Sequence, residues 1–253
     1  MFGFLHQVFK LAKIFDTKKL VFAWDSKKSY RRQADPEYKA NRKLEELTQE
    51  QQQEKLIFYS QVNELRRRII PALGFKNSFI CTGLEADDVI ANLVLGGCNG
   101  SVVISSDNDL WQLLEHCSLY SIRTRKKFTR DIFFNLYGIE PEQWAMIKQI
   151  AGCSGDNVVG IKGVGEATAI KYILGEKLKS GKLQQRIDSP ESQEIIKKNE
   201  RLVKLPFEVK HLELSHKEKF SLDTWIDVFT RYDFRSFMDR GYLKDLKRAF
   251  ELR

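Results

Sequence analysis

The sequence is short of the residues that build several common kinds of site. Its cysteines, Cys81, Cys98, Cys117 and Cys153, contain no Cys-x-x-Cys pair and lie in or beside apolar runs. That argues against a structural zinc site and for reduced, mostly buried thiols of a cytosolic protein. No apolar stretch approaches the ~20 residues that cross a bilayer. The N-terminal MFGFLHQVFKLAKIF repeats its apolar positions at helical spacing instead of forming the solid apolar core of a signal peptide. The one glycine-punctuated turn, GIKGVGEATAIKYI at 160–173, lacks the Lys-Ser/Thr of a P-loop and comes after a helical stretch, which disfavours nucleotide binding. Internal repeats and long low-complexity tracts are missing too. What is there in excess is positive charge: 42 Lys and Arg against 34 Asp and Glu in 253 residues, a formal +8. Such a balance favours a polyanionic partner.

Apolar patterning predicts alternating elements over the first half of the chain. An amphipathic helix at about 2–15 precedes a buried strand in KKLVFAW (18–24), and a basic loop (26–42) leads into a long helix from Lys39 to about Ile70, ended by Pro71 and Gly74. FKNSFICT (75–82) and SVVISS (101–106) read as further strands, EADDVIANLVLG (85–96) as a helix, and SLYSIR as another strand. Strands alternating with helices imply a parallel α/β sheet. From about residue 130 only helices are expected, at 130–137, 141–151, 165–175, 190–204 and 222–252.

Acids recur where these strands end. Asp25 comes after LVFAW, Glu85, Asp87 and Asp88 after SFICTG, and Asp107 and Asp109 after VVISS. In open α/β sheets ligands bind at the carboxyl ends of the strands. Two like charges ~4 Å apart repel by roughly 4 kcal/mol at an effective dielectric of about 20, so such a cluster calls for cations. Hard oxygen donors suit Mg²⁺ or Mn²⁺, and no His or Cys stands at these exits to favour zinc. In the second half, Gly160, Gly163 and Gly165 let the backbone approach a phosphate closely at a helix start, without reading base identity.

The ordered segments AWDSK, YKANR, GLEADDVIA, VVISSDNDLWQLL and GDNVVGIKGVGEATA resemble the 5′-nuclease or flap endonuclease family. That family includes phage 5′-exonucleases and the N-terminal nuclease domain of bacterial DNA polymerase I. The resemblance implies an α/β fold with a PIN-like parallel sheet over residues 1–128, including a helical gateway at about 26–70. It also implies a helical DNA-binding region over 129–253 with a helix-three-turn-helix element at about 141–175. It implies two divalent cations, Mg²⁺ or Mn²⁺, the first among Asp25, Glu85, Asp87, Asp88 and Asp107, the second served by Asp107, Asp109 and Asp156. Tyr38 would stack on an unpaired base, Lys39 and Arg42 would act at the scissile phosphate, and Arg31 and Arg32 would line the same funnel. Gly160, Lys162, Gly163 and Gly165 would grip the duplex, with a K⁺ ion bridging to its phosphates. The expected partner is DNA at 5′ flaps, forks and 5′ ends, for a monomer in a bacterial or phage-infected cytoplasm, with replication proteins as further partners and no membrane contact.

Two departures stand out. Family members begin with a strand ending in an aspartate, upstream of the position matched here by Gly3-Phe4-Leu5, so an upstream start is expected. Cys153 stands where many relatives carry an aspartate, and a thiol is a poor Mg²⁺ ligand, so the second cation site should be weaker. The departures keep open a relative that binds forked DNA without cutting it. A PIN-type ribonuclease, which shares the acids but does not need the glycine turn, is the third reading.

Overall fold

A computed structural model describes residues 1–42 and 48–252. The chain forms two compact units, one from Met1–Phe22, Leu44–Phe79 and Glu213–Arg253, the other from Ala23–Lys43 and Ile80–Leu212.

In the first unit the helix Phe2–Ile14 buries Leu5, Val8, Phe9 and Ala12, the 3–4 spacing that the sequence pattern predicts. Phe9 lies within about ring-contact distance of Trp225, Phe229, Phe237 and Phe250, with centroids 5.1–6.2 Å away, so this core is aromatic. The helix Gln49–Glu64 is capped by Thr48, whose hydroxyl accepts from Gln51 N–H while the Gln51 side chain accepts from the Thr48 N–H. It buries no residue, and burial begins with Leu65, Ile69 and Ile70 in the π-turn and short helix beyond it. The helix expected from Lys39 therefore starts only at Gln49: Lys39 adopts φ +54°, Ala40–Arg42 form a 3₁₀ turn, and residues 43–47 lie outside the described residues. The single helix expected over 222–252 is instead Leu222–Arg231 and Arg240–Phe250. Asp233 in the left-handed region breaks the first, and the Asp239 carboxylate caps the second by accepting from Gly241 and Tyr242 N–H.

In the second unit the strand Ser101–Ile104 pairs in parallel with Cys117–Ser121, in register Ser101 to Cys117. A further strand, Lys126–Phe128, which the apolar pattern does not show, adds an antiparallel edge. Its residues are two lysines and one Phe, so it has no apolar alternation to read. The helices Ala86–Leu95, Arg130–Tyr137, Trp144–Ala151, Glu166–Ile173 and Pro190–Val203 fall close to their expected bounds. One core centred on Leu110, Phe133, Trp144, Ile147 and Ile150 joins the parallel pair to these helices. Strands 18–24 and 75–82 shrink to Phe22–Ala23 and Ser78–Phe79.

The element that most shapes the acidic edge is a hairpin that apolar patterning does not predict. Gly152–Cys153 pairs antiparallel with Val158–Val159 around a turn at Ser154–Asp156. Gly160 comes next, where a Cβ would lie 2.2 Å from the Ala151 carbonyl group, so only glycine lets the chain double back on the end of the helix Trp144–Ala151. The buried Asn199 amide braces the hairpin, donating to the Gln149 and Val159 carbonyls at 2.9 Å.

Candidate metal centre

The acids follow strands as expected, but those strands belong to two separate sheets and not to one parallel sheet. Asp25 lies just beyond the strand Phe22–Ala23, and its carboxylate accepts from the Ala86 N–H at 2.8 Å, which ties it to the start of the helix Ala86–Leu95. Glu85 and Asp87 sit at that same helix start. Asp107 lies beyond Ser101–Ile104, its carboxylate accepting from the Asp109 N–H at 2.9 Å. Asp87 is the strained member: burial first, then the charges of Asp107, Asp25 and Glu85, push its carboxyl up to about 7, against the pull of Lys39. The other acids are half-buried or exposed.

Asp109 and Asp156 gather on the other side of Asp107 in sequence. Asp109, Cys153 and Asp156 offer donor atoms that all lie within 4.8 Å of one another. Burial raises the Asp109 carboxyl, Lys148 opposes, and Asp107 and Asp156 add to the rise. Its Oδ1 is buried and held by the Lys148 ammonium at 3.1 Å. Two carboxylates within reach of one another form an oxygen donor set that fits a divalent cation.

Basic side chains cover these acids. Lys39 Nζ is 2.7 Å from Glu85 and 3.6 Å from Asp156, and Arg42 Nη2 is 2.6 Å from Asp156. Lys148, which sequence reasoning does not single out, is almost fully buried between Asp109 and Glu166, at 3.1 and 2.9 Å. Its signal is present in the sequence: a lysine one turn after Trp144, inside the apolar face of WAMIKQIA.

Three predicted residues turn out to do something else. Asp88 is fully buried and bound bidentately by Arg31, and it also accepts from the Glu85 and Phe207 N–H groups. Its oxygens are therefore spent on protein donors, not on a cation. Arg31, 3% exposed, donates as well to the Leu202 and Lys204 carbonyls, so it faces no funnel. Tyr38 is buried against Val158, Leu202 and Val203, with its hydroxyl donating toward Glu85 and Asp156 at 3.0 and 3.2 Å. That ring has no free face for a base. Arg32, Arg42 and Lys162 remain exposed, as does Gly165 at the start of the helix Glu166–Ile173, where a Cβ would meet nothing within 4 Å. Gly163 adopts φ +81° and the Lys162 carbonyl accepts from Arg186 at 2.7 Å.

Residues 1–138 match the 5′-3′ exonuclease, N-terminal resolvase-like domain family. The chain belongs to this family. It is 31% identical over 179 residues to a 5′-3′ exonuclease of Bacillus subtilis, covering 68% of this chain and 57% of that protein. The chain thus spans little more than half of that relative's length. Among solved structures, bacteriophage T5 5′-exonuclease with bound divalent metal ions (zinc) matches over 99% of this chain and 90% of its own, with a TM-score of 0.69 at 22% identity. A bacteriophage T5 flap endonuclease in a pseudo-enzyme-product complex with DNA and metal ions matches over 98% and 90%, with a TM-score of 0.66 at 23% identity. These likenesses establish the α/β fold of the family. Among the described residues, no helix is long and apolar enough to cross a membrane.

Arg31→Ala should cost about 3–5 kcal/mol in urea denaturation, because it strands a buried Asp88; a loss under about 1 kcal/mol would show the pair to be incidental. In chelator, Asp87 contributes stability that is full below about pH 4 and lost as pH rises through about 7, because its folded value lies above the unfolded one. Melting temperatures recorded across that window should fall for wild type and flatten for Asp87→Asn.

Proposed function

We propose that this chain is a divalent-metal-dependent nuclease acting on DNA at 5′ ends, flaps and forks. The single observation that carries the reading is Asp87, whose carboxyl is pushed up to about 7 by burial first and then by Asp107, Asp25 and Glu85 on turns after separate strands. An arrangement that disfavours its own ionisation is one that cations relieve. Divalent ions such as Mg²⁺ or Mn²⁺, two in all, would supply activation of a water and stabilisation of the leaving oxygen. Asp25, Glu85, Asp87 and Asp107 would hold one, Asp109 and Asp156 the other, with Asp107 between the two sets.

The chain's own residues account for the rest. Lys39 and Arg42 pair with Glu85 and Asp156, and with those carboxylates engaged elsewhere they are placed to bind the scissile phosphate. Tyr38 positions Glu85 and Asp156 through its hydroxyl. Exposed Arg32 and Lys162, with the open backbone at Gly165, supply sequence-independent phosphate contacts, and a K⁺ ion at the turn Gly160–Gly165 is part of the same proposal. Residues to about 128 carry most of the acids and those after 129 the duplex grip, with Asp156 contributed from the latter. The protein acts as a monomer in the cytoplasm, alongside replication proteins. A second reading, a fork-binding protein that does not cut, is favoured by Cys153 in the second acid set.

Asp107→Ala should abolish cleavage of a labelled 5′-flap in Mg²⁺ or Mn²⁺ while leaving flap binding within a few fold of wild type. Cleavage at the wild-type rate would refute the assignment. Lys39→Ala should lower turnover by about 10²-fold with little change in duplex affinity. A wild-type chain that binds the flap tightly and cuts nothing with either ion would favour the second reading.

A further inference from the structure

We propose that Lys148 is a positioning residue whose buried ammonium couples the duplex grip at the glycine turn to the cation-binding state of Asp109. The inference rests on the metal-nuclease reading for what binds at either end and goes beyond it in joining the two.

Lys148 stands on the helix Trp144–Ala151 and is 4% exposed. Its Nζ lies 3.1 Å from Asp109 Oδ1 and 2.9 Å from Glu166 Oε1, and it donates to Asn108 Oδ1 at 3.1 Å. An ammonium carries three N–H groups. Three oxygens around it, with the Trp144 ring centroid 5.4 Å away, leave no N–H for a phosphate. Lys148 therefore acts only through its partners.

Those partners belong to two different pieces of the second unit. Asn108 and Asp109 open the 3₁₀ turn beyond the strand Ser101–Ile104, whereas Glu166 is the first residue of the helix that Gly165 introduces. The link has a dry end and a wet end: the Asp109 side chain is 19% exposed and that of Glu166 44%. A phosphate drawn to the backbone at Gly165 stands beside the Glu166 carboxylate, which repels it unless Lys148 neutralises that charge. In the metal-free protein Asp109 claims part of the same ammonium. A cation on Asp109 satisfies that acid and leaves Lys148 to Glu166, so the start of the helix becomes less negative toward the duplex. Linkage makes the effect reciprocal: if the cation tightens duplex binding, the duplex tightens cation binding by the same factor. A buried ion pair with a purely structural role carries no such linkage.

The test reads flap affinity of the full chain by fluorescence anisotropy, on a 5′-flap duplex with cleavage-resistant linkages, in chelator and in saturating Mn²⁺. Mn²⁺ should tighten flap binding about fivefold more in wild type than in Glu166→Gln. Glu166→Gln should also bind the flap more tightly than wild type in chelator, and Glu166→Asp should restore most of the wild-type response to Mn²⁺. Lys148→Met should show the same small response as Glu166→Gln, whose half-exposed side chain keeps the test open if the lysine variant does not fold. An equal Mn²⁺ response in wild type and Glu166→Gln, whatever their melting temperatures, makes Lys148 a structural ion pair and overturns the coupling. In that case Mg²⁺-dependent cutting of an ordinary flap by wild type leaves the nuclease reading standing. A response lost in Glu166→Gln, in a protein that cuts no flap with Mg²⁺ or Mn²⁺, supports the coupling and removes the nuclease reading instead.

Discussion

The constraint on which the site depends is the burial of one carboxyl among others that the fold places near it. Turns after strands of two different sheets bring Asp25, Glu85 and Asp107 close enough to Asp87 for their charges to add to what burial does to its carboxyl. A half-buried carboxyl pushed up to about 7 means that the fold holds unfavourable electrostatics in place. Lys39, beside Glu85, offsets part of it, while Arg42 and Lys148 pair with Asp156 and Asp109. Two of these side chains, Lys39 and Arg42, serve in the proposed function as phosphate ligands.

A second, quite different device holds the framework. Arg31 and Asp88 are both buried and saturate each other's hydrogen-bonding capacity together with the Leu202, Lys204 and Phe207 backbone. This pair anchors the start of the helix Ala86–Leu95 to the segment after Val203, and so fixes where Glu85 and Asp87 stand. Neighbouring acids in one short motif, Asp87 and Asp88, thereby divide into a candidate cation ligand and a structural clamp. One residue of helical rotation, about 100°, separates the two roles.

Much of this was legible in the sequence and some of it was not, for identifiable reasons. The amphipathic helices and the acids at strand ends carry their own periodicity, and the ordered motifs pointed to the family that residues 1–138 match. Arg31 and Tyr38 misled because a basic, polar loop hides which side chain turns inward; their partners, Asp88, Leu202 and Asp156, lie far away in the chain. The hairpin at Gly152–Val159 was invisible because each strand is too short for alternation to register. With the hairpin unseen, Cys153 read as a lost ligand, whereas the structure sets its sulfur beside two carboxylates.

Asp87 carries the central claim. The most direct measurement is the thermal stability of wild type and Asp87→Asn at neutral pH, each in chelator and in saturating Mn²⁺. Relief of the buried, crowded charge predicts that the substitution raises the melting temperature in chelator, and that Mn²⁺ stabilises wild type by more than it stabilises the variant. A variant less stable in chelator, with wild type indifferent to Mn²⁺, would contradict it.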